Sequence, residues 1–172
     1  AGILGEMQRK FLQRVSTNVK RLSTMVDDLV HVTELDAGTF PFEPAPVDVT
    51  NLIEDAITNA SIQFREKGLA INLSLAPDIP LVHGDKDAIT QVFGQLLTNA
   101  YLVSPPNTEI FVRANQQPYA KYEGQTPTDH LFVSVQDRGG GISEDDELRV
   151  FARKYKAENP LIQGLGDTGV GL

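Results

Sequence analysis

Four stretches of this 172-residue chain carry residue types at spacings that could do chemistry. The first is Asp137-Arg138-Gly139-Gly140-Gly141-Ile142, directly after an alternating segment that reads as a strand. A carboxylate at a strand end, followed by residues free to adopt φ > 0, lets the backbone approach a flat ligand closely. Asp137 would then accept an exocyclic amino hydrogen at the floor of a pocket. The same residues also suit an ordinary tight turn. The second stretch is Gly164-Leu165-Gly166-Asp167-Thr168-Gly169-Val170-Gly171. Its G-x-G-x-x-G spacing does not make a dinucleotide fold, because no strand precedes it and too few residues follow for a βαβ unit. No Gly-Lys pair occurs, so a phosphate loop of the G-x-x-x-x-G-K-[ST] kind is excluded as well. What remains is a loop whose backbone N–H groups could line a phosphate.

Between the two lies Val150-Phe151-Ala152-Arg153-Lys154-Tyr155-Lys156, an aromatic anchor beside cations. It could close over a nucleotide and touch its phosphates. It reads equally as an ordinary amphipathic helix. The fourth feature is Gln95 and Asn99, one turn apart on one face of a mostly apolar helix. Side-chain amide oxygens suit Mg²⁺ or its hydration shell. An Asn there could instead bond the end of its own helix. His31 on a long helix, His83 near a strand end and His130 in a loop are read as structural or solvent-exposed.

These residues need elements to position them. Leu12, Val15, Val19, Leu22, Val26 and Leu29 are spaced 3, 4, 3, 4, 3, the a/d seam of a heptad repeat. Phe11, Met25, Val30 and Val32 widen the stripe toward that of a helical bundle. The helix has no internal Pro or Gly, and Gly38 suits its C-terminal cap. Phe40 to Pro46 holds three prolines and reads as an extended linker. Asp48 or Thr50 caps a second helix that runs to about Lys67, closed by Gly68. Leu69 to Leu75 alternates as a half-buried strand, with Leu81-Val82 at most a very short one. Asp85 caps a third helix, which carries Gln95 and Asn99 and stops before Ser104-Pro105-Pro106. Glu109–Ala114 and Leu131–Gln136 read as strands around a long polar loop, and a short helix is expected near residues 145–156.

The expected fold class is α+β. A long N-terminal bundle helix precedes a two-layer α/β sandwich, with a mixed sheet packed on helices and a truncated C-terminus. The expected division is 1–38 helix, 39–46 linker and 47–172 an incomplete nucleotide-binding domain. Lys+Arg of 15 against Asp+Glu of 23 gives a net charge of −8, which disfavours a nucleic-acid or anionic-membrane binder. There is no Cys, which removes disulfides, thiolate metal sites and thiol nucleophiles. No apolar run reaches the ~18 residues of a membrane span.

The order of these features then identifies a resemblance. An Asn-bearing helix, strands, Asp-x-Gly-x-Gly-Ile, an aromatic segment and Gly-x-Gly resemble the N, G1, F and G2 boxes of the sensor histidine kinases of two-component signal transduction. Their ATP-binding superfamily also includes gyrase, a heat-shock chaperone and mismatch-repair ATPases. Arg21 to Leu29, continuing through Leu35-Asp36-Ala37-Gly38, resembles the second helix of that family's dimerisation and phosphotransfer hairpin. The resemblance implies that Asp137 binds the adenine amino group, with Gly139 and Gly141 shaping the pocket. It implies ATP and Mg²⁺ as cofactors, with Asn99 holding the metal and Gln95 close by. Phe151 and Tyr155 would belong to a mobile lid, Lys156 would stand where a cationic residue meets phosphate, and Gly169 and Gly171 would pass close to the triphosphate.

The same resemblance implies a kinase that transfers the ATP γ-phosphoryl to a His outside this chain, for relay to the receiver domain of a response regulator. It also implies a homodimer through the helix around Leu12 to Leu29 and a cytoplasmic location. The alternative is a degenerate, non-catalytic module that pairs through the same helix. Departures from the family pattern are Gln95 for Asn, Leu102 for a phosphate-contacting Lys, Lys154 for the second aromatic, and Asp167 for the first glycine of the last box. Hydrolysing relatives place a Glu base where Gln95 stands, and an amide cannot take a proton from water. No phosphoacceptor motif, His followed by an acid and then Pro, occurs in the chain. The chain is therefore expected to be a fragment.

Overall fold

The computed structural model describes residues 5–122, 125–147 and 150–151. Helix α1 spans Glu6–Ala37. Its entry is tied by Gln8 Oε1, which accepts from the Gly5 backbone N–H at 3.0 Å. Its exit is Gly38, left-handed at φ 65°, whose N–H returns to Leu35 O at 3.2 Å. A side chain at that φ costs about 1–2 kcal/mol, so glycine ends the helix there. The six seam residues read from the heptad are all exposed, from 41% at Val15 to 66% at Leu29.

The proline-rich stretch is extended, as expected, but its last residues are not free linker. Ala45–Val47 form strand β1, which pairs antiparallel with β3, Val82–Gly84. Pro46 faces His83 in this ladder of only two strands, where a missing N–H is tolerated. Helix α2, Val49–Glu66, starts at Asp48, whose Oδ1 accepts from Asn51 N at 3.1 Å. Helix α3, Lys86–Val103, starts at Asp85. Its last carbonyls, otherwise orphaned, receive the Lys67 ammonium, which bonds Tyr101 O and Leu102 O and lies 4.7 Å from the Tyr101 ring centroid.

The main sheet has the order β2-β4-β5, with β2 (Ala70–Leu75) parallel to β4 (Glu109–Tyr119) and β5 (Thr128–Gln136) antiparallel to it. The sheet is therefore mixed and the class α+β, as expected. Ile110, Val112 and Ala114 of β4 are buried with Leu52, Ile53 and Phe64 of α2 and Phe93, Leu97 and Ala100 of α3. That core holds one face of the sheet against the two helices.

Three expectations are corrected. The strands of the hairpin are longer than their apolar parts. Asn115–Tyr119 and Thr128–His130 continue the ladder, so Tyr119 pairs with Thr128 and His130 lies in β5 rather than in a loop. The polar ends are held by cross-strand aromatic contacts: the Tyr119 ring lies edge-on at 5.3 Å from His130 and 5.6 Å from Phe132. Among the described residues of the expected helix, α4 covers Glu144–Glu147 and Val150 and Phe151 stand in a turn; 148–149 and 152–156 lie outside the described residues. Among the described residues, no helix is long and apolar enough to cross a membrane.

Asp85 joins these parts. Its buried carboxylate accepts from Ala88 N (Oδ1, 2.9 Å) and from Glu43 N of the proline-rich stretch (Oδ2, 2.9 Å). The Ala88 N–H first, and then that of Glu43, hold the carboxyl below its ordinary value, against burial, which pushes it up. A lowered folded-state value means that the stability Asp85 contributes is present above the ordinary carboxylate value and is lost as the pH falls through the folded one. Urea midpoints measured over a descending pH series should therefore fall more gently in Asp85→Asn than in the parent chain. Asn keeps the helix cap but not the titration. Equal acid slopes in the two proteins would contradict this account.

Candidate nucleotide site

Asp137 is the residue after β5 and is half-buried. Its Oδ1 accepts from the Gly139 N–H at 2.7 Å, closing a tight turn over Arg138. A carboxylate has about four acceptor positions, so this bond leaves capacity for an amino group of a ligand. The tight-turn reading and the ligand reading of this stretch are thus the same geometry: the turn fixes the carboxylate.

Gly139 is required by packing. A Cβ there would lie 2.7 Å from Val103 Cγ2 and 2.9 Å from Asp137 Oδ1. The glycine loop therefore rests directly on the last turn of α3. Gly141 follows with φ 75°, a left-handed turn that opens the loop. On α3 the positions 95, 99 and 103 recur every fourth residue and make one stripe, with Gln95, Asn99 and Val103 all half-buried. Asn99 lies about 6 Å along the helix axis from Val103 at 1.5 Å per residue. Gln95 Nε2 donates to Asn99 Oδ1 at 3.1 Å, which sets the direction of the Asn99 amide. The structure thus seats Gly139, bonded to Asp137, on Val103 at the end of the α3 stripe that also carries Asn99 and Gln95.

Gly139→Ala follows as a direct test of that junction. The added methyl must displace either Val103 or the Asp137 carboxylate, with a stability loss of about 1–3 kcal/mol, as for an overpacked core. Thermal unfolding of Gly139→Ala should show the loss, and Val103→Ala in the same chain should recover part of it by making room. No recovery in the double variant would place the clash on Val103 Cβ or Asp137 Oδ1, each 2.9 Å from the added methyl, rather than on Val103 Cγ2.

Other candidates fall differently. Phe151 is 80% exposed. Tyr155, Lys156, Gly169 and Gly171, with Lys154 and Asp167, lie outside the described residues. Leu102 is half-buried at the end of α3, where its carbonyl accepts from Lys67 Nζ at 3.4 Å. His31 faces Gln91 of α3, with Nδ1 and Nε2 3.2 Å apart, and His83 pairs with Pro46. Sequence reasoning missed Val103, although its place four residues after Asn99 would have pointed to it. It also missed Arg138, whose guanidinium lies 5.3 Å from the Phe111 ring centroid.

Among the described residues no group of three or more His, Asp or Glu side chains could hold a metal ion by itself. The donor set fits Mg²⁺ in another way. Mg²⁺ keeps several waters and is commonly bound through one or two protein oxygens together with substrate phosphates. Asn99, oriented by Gln95, offers a hard amide oxygen of that kind.

Residues 84–172 match the model of a family described as "Histidine kinase-, DNA gyrase B-, and HSP90-like ATPase". The matched stretch contains every residue of the candidate site. Among known proteins, "Drug sensory protein A" of Synechocystis sp. is 29% identical over 170 residues, which are 98% of this chain and 25% of that protein. "Signal transduction histidine-protein kinase BaeS" of Escherichia coli is 28% identical over 158 residues, 92% of this chain and 32% of its own length. The chain thus spans a quarter to a third of the length of these relatives. Among solved structures, full-length ShkA in complex with AMPPNP is similar with a TM-score of 0.73 at 21% identity, over 99% of this chain and 33% of that one. The histidine kinase ThkA, solved with the response regulator protein TrrA, gives 0.63 at 19% identity, over 90% of this chain and 42% of that one. At these identities the structural likeness is one of fold.

Proposed function

This chain belongs to the histidine kinase-, DNA gyrase B- and HSP90-like ATPase family, and on that premise we propose that it is the ATP-binding catalytic portion of a sensor histidine kinase. It transfers the γ-phosphoryl group of ATP to a histidine outside these residues, for relay to the receiver domain of a response regulator. The observation that carries the reading is the seating of the Asp137–Gly139 turn on Val103, in line with Gln95 and Asn99. It supports the reading because the Asp137 carboxylate is fixed beside the end of the α3 stripe that carries Asn99.

Phosphoryl transfer mainly needs positioning and neutralisation of charge. Asp137 accepts the exocyclic amino hydrogen of adenine and so sets which base enters and how it lies. Gly139 and Gly141 let the backbone come close to the base. Asn99 would hold Mg²⁺, with Gln95 fixing the amide; the ion, bound with ATP, would offset phosphate charge. Phe151 and Tyr155 form the lid in this reading, Lys156 meets phosphate, and Gly169 and Gly171 run beside the triphosphate. The division into 1–38, 39–46 and 47–172 assigns α1 to dimerisation and the remainder to nucleotide, with β1 as the point where the connection joins the second unit. The setting is cytoplasmic, where ATP and a response regulator are both available. The relatives' names, a histidine-protein kinase among them, and a fold neighbour solved with a response regulator support this reading.

The experiment is transfer between molecules. The chain, given labelled ATP and Mg²⁺, should place acid-labile, base-stable label on a separately supplied helical hairpin that carries a phosphoacceptor histidine. It should place none on its own His31, His83 or His130. Label on His31 would overturn the assignment of the acceptor to another segment. ATP bound with no transfer to any such hairpin would overturn the kinase reading.

A further inference from the structure

We infer that Arg138 is a positioning residue for the Asp137 turn, acting through the ring of Phe111 on the outer face of the sheet. The inference rests on the reading of Asp137 as the adenine-binding carboxylate. Ile110, Val112 and Ala114 are buried toward the helices, so Phe111 and Arg113, which alternate with them, lie on the opposite face. The Arg138 guanidinium carbon is 5.3 Å from the Phe111 ring centroid, and that of Arg113 is 5.0 Å from the same ring. Both are within the ~6 Å at which a cation is attracted to an aromatic ring. Arg113 also donates through Nη1 to Gln136 Oε1 at 3.0 Å. Gln136 is the register partner of Phe111 and the residue immediately before Asp137.

Asp137 therefore stands between two restrained neighbours. Gln136 is held by Arg113, and Arg138 is held on Phe111. Beyond them, Gly139 is seated against Val103 on the helix side of the sheet. The turn is pinned from both faces at once, and the carboxylate between the pins has little freedom to swing. Arg suits this post because its planar guanidinium lies flat on a ring, which a lysine ammonium does not. Removing either the cation or the ring should loosen the same turn.

The test uses the 172-residue chain with two readouts. One is hydrogen exchange of the Gly139 amide, which donates to Asp137 Oδ1. The other is affinity for AMPPNP with Mg²⁺ by titration calorimetry. Arg138→Gln and Phe111→Leu should each speed Gly139 exchange and weaken AMPPNP by about two- to fivefold, the scale of one exposed cation–ring contact. Combining them should add no loss beyond that of Phe111→Leu alone, since that change already removes the ring on which Arg138 lies together with the Arg113 contact. Phe111→Tyr, which keeps the ring, should restore both readouts. Exchange at Val112 and Ala114 should stay at the parent rate, which separates a loosened turn from a damaged sheet. Unchanged Gly139 exchange in Arg138→Gln overturns the inference. So does weaker binding in Arg138→Gln but not in Phe111→Leu, which would make Arg138 a direct ligand contact. If Asp137→Ala binds AMPPNP as the parent does, or the parent does not bind it, the nucleotide reading fails instead. Gly139 exchange then still decides whether Arg138 positions the turn.

Discussion

Asp137→Ala lowers the affinity for an ATP analogue with Mg²⁺ by about ten- to a hundredfold. The figure follows from the loss of one hydrogen bond to a charged group, about 1.5–3 kcal/mol, at 1.4 kcal/mol per tenfold. The effect should be large because the carboxylate is fixed before the ligand arrives. Its bond to Gly139 N at 2.7 Å and the seating of Gly139 on Val103 leave little ordering to be done on binding. The loss should fall most heavily on adenine nucleotides, since a base without the exocyclic amino group gives the carboxylate nothing to accept. Titration calorimetry with AMPPNP and with the same analogue carrying unsubstituted purine in place of adenine checks both statements. Equal affinity of parent and variant for AMPPNP would remove Asp137 from the site.

Leu22→Asp combined with Val26→Asp should convert a self-associated chain to monomer. The argument begins with exposure: Leu12, Val15, Val19, Leu22, Val26 and Leu29 are all at least 41% exposed along one side of α1. Full burial of such a side chain contributes about 1.5–3 kcal/mol, so six of them leave a large association energy unrealised in a lone helix. A soluble monomer rarely exposes so continuous an apolar stripe. A long helix also gains most of its stability from packing. A second copy of the same seam would cover it in the manner of a bundle. Two carboxylates in mid-seam would be desolvated without partners. The sheet and its core, built from α2, α3 and β4, do not use these side chains, so the far-ultraviolet signal of that part should persist. Sedimentation at tens of micromolar is the measurement. A monomeric parent chain at that concentration would refute the pairing.

Legibility followed the range of the interactions. The helix caps were readable because a cap is decided within four residues. Asp48 bonds Asn51 N, Asp85 bonds Ala88 N, and Gly38 closes α1, each within its own turn. The heptad of α1 was readable for the same reason, since a repeat is a property of one helix. The outer halves of β4 and β5 were not. Asn115 to Tyr119 is polar in its own window and becomes strand only because Thr128 to Phe132 lies opposite, with the Tyr119, His130 and Phe132 rings in contact. Strand β1 was hidden in the same way, its three residues having no meaning until β3 pairs with them.

The candidate site divides along the same line. Sequence alone determined which residues could do the chemistry, namely a carboxylate before three glycines and two amides one helical turn apart. It also determined the class of fold, because periodicity and capping are local and survive in any window of the chain. Only the tertiary structure decided that Gly139 must be glycine, because the atom that forbids a side chain there is Val103 Cγ2 on another element. Only the tertiary structure decided that Arg138 turns to Phe111 on the far face of the sheet. Those are contacts between chemically ordinary residues, set by how a helix and a sheet pack, and no local pattern in the chain encodes where a distant side chain will stand.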